Sequence, residues 1–322
     1  MNDTVLEVKN LRTSFFIDKK EIPAVDGVSF KIDRGEALGI VGESGSGKSV
    51  TAFSIMRLIP DPPGKIVGGS IFYKGENILE KSKDEMRKIR GNKISMIFQE
   101  PMTSLNPVYS IGKQISESLI LHQNLTKKEA RNASIEMLRL VKIPFPEKRI
   151  KEYPFQFSGG MRQRVMIAIA LSCKPDILIA DEPTTALDVT IQSQIMDLIR
   201  DLKNKTGTAI LFITHNLGVI SELVQNVIVM YNGRIVEYAS VKDIFKTPKH
   251  PYTIGLLNSI PKMTGPNEKL KYIKGMTPSP GEIACGCRFK TRCEHVNEEC
   301  MKKEPPLYEV GNSLVRCWKF RK

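Results

Sequence analysis

Residues Gly42 to Ser49 read Gly-Glu-Ser-Gly-Ser-Gly-Lys-Ser and fit the pattern G-x-x-x-x-G-K-[ST]. No other stretch constrains the fold as much, because this one needs a strand before it and a helix after it. Ala37–Val41, just upstream, is an apolar run of buried-strand length, and Val50–Ile59, just downstream, has helical length and spacing. Gly42, Gly45 and Gly47 are expected to let the backbone wrap an anion, since no Cβ blocks the left-handed angles of such a turn. The N–H groups along Ser44, Gly45, Ser46 and Gly47, and the helix start at Val50, would then point at phosphates. Lys48 supplies a charge for the β- and γ-phosphates and Ser49 a hydroxyl for Mg²⁺. The stretch therefore predicts binding of a nucleoside triphosphate.

The rest of the chain has to fit around that loop. Its 322 residues suit one large or two modest domains. A net charge of +13 suits nucleotide phosphates, nucleic acid or an anionic membrane surface, but the charge is scattered, as on a solvated basic surface. No apolar run reaches the roughly 18–20 residues of a membrane span, and the first residues lack the basic and apolar regions of a signal peptide. A soluble chain that stays in the cytoplasm is expected. Of 6 cysteines, five follow residue 284, and in that compartment they argue for metal or thiol chemistry over a disulfide framework.

In chain order, residues 5–16 and 28–33 alternate apolar and polar and read as strands of an antiparallel edge sheet. Phe15 there is either core or a platform for a nucleotide base. After the breakers Pro60–Gly64 come a strand at Gly69–Gly75, a charged helix at Asp84–Arg90 and a strand at Lys93–Phe98. That last strand ends at Gln99, where open α/β sheets place their ligands. Ile111–His122 and Lys127–Val141 have helical periodicity with no strand between them and read as an inserted helical subdomain at about 103–164. Phe157-Ser-Gly-Gly-Met-Arg-Gln-Arg164 leads into an apolar helix at Val165–Cys173. Asp176–Asp181 is then a strand buried on both faces, with the carboxylates of Asp181 and Glu182 at its end. Such a pair suits hydrolysis of a Mg-nucleotide, Asp181 for the Mg²⁺ shell and Glu182 to polarise a water. Ala209–Thr214 is a similar strand ending at His215, and Val227–Tyr231 with Arg234–Glu237 forms a hairpin through Asn232-Gly233. From Ile260 onward Gly, Pro and Cys rise and 13 Lys/Arg face 7 Asp/Glu, as in a separate loop-rich module.

Taken together and in this order, the phosphate loop, Gln99, Ser158-Gly159-Gly160, Asp181-Glu182, Ala186-Leu187-Asp188 and His215 resemble the ATP-binding-cassette (ABC) ATPases over about residues 4–240. The segments Leu11–Phe16, Phe98–Pro107 and His250–Leu257 and the Cys-rich tail resemble the dipeptide/oligopeptide importer branch, and within it the ATP-binding subunits of dipeptide transport. The resemblance implies an α/β P-loop NTPase fold: a RecA-like core, an antiparallel β edge and the inserted helices in a nucleotide-binding domain over 1–259, then a small Cys-containing domain over 260–322. It implies that Phe15 stacks on adenine, that Gln99 reaches Mg²⁺ and the attacking water, and that Glu182 is the general base. Ser158, Gly159 and Gly160 would grip the γ-phosphate bound on an opposite subunit, and His215 would sense the γ-phosphate. Met161 and Asn216 depart from the residues frequent at their positions, Gln and Asp; the second puts a neighbouring contact in doubt.

The implied activity is ATP hydrolysis that powers uptake of dipeptides or oligopeptides, at the cytoplasmic face of the membrane. The implied partners are a second related cassette (or a second copy in isolation), two membrane permease subunits and, indirectly, an extracytoplasmic peptide-binding protein. Because each site borrows a signature segment, one chain alone is expected to turn over slowly. Nickel chelates are an alternative cargo. A soluble cassette ATPase working on nucleic acid or ribosomes is the other alternative, but a single motif set without a heptad run argues against it, and no nucleic acid is expected.

Cys287, Cys293, Cys300 and Cys317 have five, six and sixteen residues between them, with Cys285 two before the first. Four thiolates can hold Zn²⁺ or an iron–sulfur cluster, but the spacing lacks the C-x₂-C pairs usual for either, so metal and free or redox thiols both stay open on spacing alone. The importer branch implies a [4Fe–4S] cluster on these four, with Zn²⁺ as the alternative and a structural role for either.

Overall fold

The structure, a computed structural model, describes residues 3–99, 104–184, 188–260 and 272–321. Residues 100–103 and 185–187, which include parts of two of the family-like segments, lie outside the described residues, as does 261–271, just past the expected domain boundary. Among the described residues the strands are β1 (Thr4–Ile17), β2 (Lys20–Asp33), β3 (Ala37–Val41), β4 (Gly64–Tyr73), β5 (Glu76–Asn77), β6 (Ile94–Ile97), β7 (Ile177–Asp181), β8 (Ala209–Thr214), β9 (Asn226–Tyr231), β10 (Arg234–Ser240), β11 (Tyr308–Val310) and β12 (Ser313–Val315). The chain divides into two compact units, one of Met1–Leu6, Ile32–Glu36 and Lys74–Leu211, the other of Glu7–Lys31, Ala37–Tyr73 and Phe212–Lys322.

In the first unit, β6 and β7 pair in parallel, with Ile94 opposite Ile177 and Ile97 opposite Ala180. All five residues of β7 are buried, as the apolar run predicted. The helices Ile111–Gln123 and Lys127–Leu140 pack on each other and on the helix Gly159–Leu171, which rests on β6. Their ends are written in the sequence. Asn124 ends the first in the left-handed region (φ 54°), and Thr126 and Glu129 close a capping box at the start of the second. These helices match the expected insertion to within a residue or two.

In the second unit, β3 pairs in parallel with β9, Leu38 opposite Asn226 and Val41 opposite Val229. β9 and β10 form the expected hairpin. Its turn residues Asn232 (φ 44°) and Gly233 (φ 79°) are both left-handed, as a two-residue turn of this hand requires. β12 pairs with β10, Glu237 opposite Val315, and β11 with β12. The C-terminal stretch thus adds strands to the sheet that carries the phosphate loop and shares that loop's compact unit. β2, β1 and β4 lie side by side in that order.

Several boundaries differ from expectation: β4 starts at Gly64 rather than Gly69, and the helix expected from Val165 starts at Gly159. β2 starts at Lys20, not near residue 28, because Asp18 and Lys19 both take positive φ and turn the chain back at once. The helix after the phosphate loop runs Lys48–Ile55, four residues short of the expected end. Arg57 is left-handed (φ 50°), Leu58 N–H donates to Phe53 O and Arg57 N–H to Ser54 O. That is a Schellman stop made without glycine.

Candidate functional site

The phosphate loop leaves β3, whose five residues are all buried, and turns directly into Lys48–Ile55. A Cβ on Gly42 would lie 2.2 Å from Met230 O, and one on Gly47 2.5 Å from Ala24 O. These two glycines are required by close approach, and Gly47 also by its φ of 99°. Gly45, at φ 78°, would meet nothing within 4 Å and needs glycine for its backbone angle alone. Ser44 and Gly45 are exposed, Ser49 and Val50 half-buried. Lys48 is buried and curls back over the loop, its Nζ donating to Gly42 O (2.7 Å) and Glu43 O (2.9 Å). Ser46 Oγ is buried without a hydrogen-bond partner among the described residues. An N-terminal helix turn, an ammonium held over the loop and an unsatisfied hydroxyl together suit an incoming polyphosphate.

In the same unit, His215 is exposed just after β8. Thr214 Oγ1 accepts from Asn216 N–H (3.1 Å), and Asn216 Oδ1 accepts from Gly218 N–H (2.9 Å), capping the turn Leu217–Ile220. Asn216 therefore serves the cap as an aspartate would. Phe15 is half-buried on β1, its ring so close to Gly64 that a Cβ there would lie 2.9 Å from Cε1. Its neighbour Phe16 is more exposed, at 44 %.

In the first unit, the parallel register of β6 on β7 carries Gln99 beside Glu182, and Gln99 Nε2 donates to Glu182 Oε2 at 3.2 Å. Sequence placed both residues at strand ends but did not reveal this contact. Asp181, the last residue of β7, is buried. Glu182 has φ 45°, a left-handed angle that costs a non-glycine residue about 1–2 kcal/mol and is typical of residues held for function. Ser158 caps the helix Gly159–Leu171, its Oγ accepting from Met161 N–H. A Cβ on Gly160 would lie 2.9 Å from Ile191 Cγ2, whereas Gly159 would meet nothing within 4 Å. The helix end therefore presents Gly159 and the exposed Ser158 outward. Ser49 Oγ, the Gln99 amide oxygen and the Asp181 carboxylate are each hard oxygen donors of the kind Mg²⁺ takes.

Cys287, Cys293, Cys300 and Cys317 line one cavity of about 180 Å³, together with His250 and His295. Burial, with the other three thiols adding to it, pushes the Cys287 thiol up to about 12. Cys285 is exposed elsewhere, its thiol donating to Met301 O. Among the described residues, no group of three or more Cys, His, Asp or Glu side chains is set to hold a metal ion, which supports neither the [4Fe–4S] cluster nor the zinc expected there.

Sequence reading missed one group altogether. Glu43, inside the phosphate loop, is bound by Arg292, Thr277 and Tyr252. Partners more than 200 residues away leave no local signal in a sequence.

A family model described as "ABC transporter" matches residues 25–185, and one described as "Oligopeptide/dipeptide transporter, C-terminal region" matches 236–300. The chain is 54% identical over 318 residues to the oligopeptide transport ATP-binding protein AppD of Bacillus subtilis, covering 98% of this chain and 97% of that one. It is 49% identical to OppD of Escherichia coli, another oligopeptide transport ATP-binding protein, covering 98% and 94%. Among solved structures, a dimeric ATP-binding cassette in a post-hydrolysis state with ADP and phosphate matches at TM-score 0.66 and 29% identity, over 73% of this chain and 98% of that one. Among the described residues no helix is long and apolar enough to cross a membrane.

Proposed function

The chain belongs to the ABC transporter family, and on that premise we propose that it is the ATP-hydrolysing subunit of a peptide importer. The observation that carries this reading is the order of parts in one chain. A glycine-locked phosphate loop and cassette are followed by an oligopeptide/dipeptide transporter C-terminal region, with about half identity to oligopeptide subunits over 98% of the chain.

Phe15 stacks on the base, while Lys48 and the loop N–H groups from Ser44 to Val50 hold the phosphates. Ser49, Gln99 and Asp181 would each offer an oxygen to Mg²⁺, which would supply charge neutralisation to the phosphates. Glu182 takes the proton of a water that attacks the γ-phosphorus as the bond to ADP breaks. Its support is the Gln99 hydrogen bond, which fixes the carboxylate. His215 reads the γ-phosphate, and Ser158, Gly159 and Gly160 close on the nucleotide of a second cassette. The dimeric form of the similar solved cassette supports pairing of this kind. We assign the second cassette to a related chain, and both to two permease subunits at the cytoplasmic face, fed by an extracytoplasmic peptide-binding protein.

The finer reading of the tail is a [4Fe–4S] cluster on Cys287, Cys293, Cys300 and Cys317. Its support is one cavity lined by all four thiols. When bound, such a cluster cross-links its segment through iron–thiolate bonds.

The test is Glu182→Gln in the complex with its permease. Mg-ATP should stay bound while hydrolysis falls by about 10²–10⁴-fold, the usual weight of a general base. Turnover like that of the unaltered chain would refute the reading.

A further inference from the structure

The phosphate loop contains a carboxylate that the motif does not call for. Its second position is unspecified, and Glu43 there places negative charge beside the seat of a polyanion, within the field of Lys48. That carboxylate is held. Arg292 meets both its oxygens, Nη1 donating to Oε2 at 2.6 Å and Nη2 to Oε1 at 3.0 Å, the forked geometry of a strong pair. Thr277 Oγ1 donates to Oε2 at 2.8 Å, and the Tyr252 hydroxyl accepts from Glu43 N–H at 2.8 Å.

Arg292 is not a surface arginine that happens to lie near. Its side chain is 4% exposed, and its remaining donors go to Lys274 O (3.1 Å), Ile273 O (3.4 Å) and Thr277 Oγ1 (3.1 Å). A second arginine of the same segment, Arg288, donates to Asn232 O at 2.6 Å. Gly233, next to Asn232 in the β9–β10 turn, donates its N–H to Ser46 O at 2.9 Å, so the segment reaches the loop directly through Arg292 and indirectly through that turn.

We propose that Arg292 is a positioning residue for nucleotide binding, holding Glu43 neutralised and the phosphate loop preset before ATP arrives. This rests on the reading of Gly42–Ser49 as the ATP site. A loop already ordered spares binding the cost of ordering it. Without the guanidinium, the Glu43 charge faces the phosphates directly and repels them.

The test measures Mg-ATP affinity of the full chain by displacement of a fluorescent ATP analogue. Arg292→Gln should raise Kd about five- to tenfold, the lower range of coupling between linked sites. Glu43→Gln should raise it less than about twofold, and the double variant should bind more tightly than Arg292→Gln alone, because the charge to be neutralised is gone. A tie that only braces the fold would instead make Glu43→Gln as harmful as Arg292→Gln and give the double no recovery. Arg292→Lys, which keeps the charge and loses the fork, should fall between, and it replaces Arg292→Gln if that variant does not fold. Unchanged Kd in the Arg292 variants, or a double variant weaker than Arg292→Gln, overturns the proposal. Lys48→Ala separates the two readings: binding retained there sinks the ATP-site reading itself, whereas binding lost there but kept in Arg292→Gln sinks only the role of Arg292.

Discussion

Replacing Gly47 by alanine puts a methyl group 2.5 Å from the carbonyl oxygen of Ala24, on the backbone of β2. Strand backbone cannot swing aside as a side-chain end can, so the loop or the strand has to shift. Gly47 also sits at φ 99°, where an L-residue pays about 1–2 kcal/mol. Overpacking adds about 1–3 kcal/mol. Gly45→Ala is the matched control, since it has φ 78° but meets nothing within 4 Å. It should carry the backbone cost only, and the difference between the two variants, about 1–3 kcal/mol, isolates the clash. Thermal unfolding of the nucleotide-free protein reads it as a midpoint about 2 °C or more lower in Gly47→Ala than in Gly45→Ala. Mg-ATP should raise the midpoint of the unaltered chain by mass action and leave that of Gly47→Ala where it was. Equal midpoints for the two variants would refute the reasoning, because the loop would then be absorbing the methyl group freely.

Three further outcomes are expected. Gln99→Ala removes the donor that fixes Glu182, so single-turnover hydrolysis at saturating Mg-ATP should fall by about 10–100-fold, the weight of one hydrogen bond to a charged group. Asn216→Ala should destabilise by about 0.5–2 kcal/mol in thermal unfolding through loss of the cap on Leu217–Ile220, and Asn216→Asp should restore it. Protein purified without oxygen should hold about four irons and four acid-labile sulfides per chain, lost in Cys293→Ser and kept in Cys285→Ser; equal loss in both variants would count against the choice of four thiols.

Legibility in the sequence followed the range of the interactions. β3, the phosphate loop and the start of the next helix were readable because the glycines and the lysine charge that phosphate binding needs fall within eight residues. β7, β8 and the Asn232-Gly233 hairpin were readable because burial on both faces and left-handed turns each leave a local mark. The stop at Ile55 was not, since a left-handed arginine gives no compositional warning. The Gln99–Glu182 contact needed the β6–β7 register, which pairs residues more than 80 positions apart. Arg292 lay hidden for the same reason, 249 positions from Glu43. The pairing of β12 with β10 was equally invisible, so the tail read as a detached module although it continues the sheet.

The most direct test of the central claim is peptide uptake in proteoliposomes that hold this chain, its partner cassette and their permease subunits, with the peptide-binding protein outside and Mg-ATP inside. The account expects uptake that needs ATP, rises with the binding protein, and stops when Lys48 is changed to Ala. ATP hydrolysis that proceeds with no peptide accumulation, under conditions where the binding protein is loaded, would contradict it.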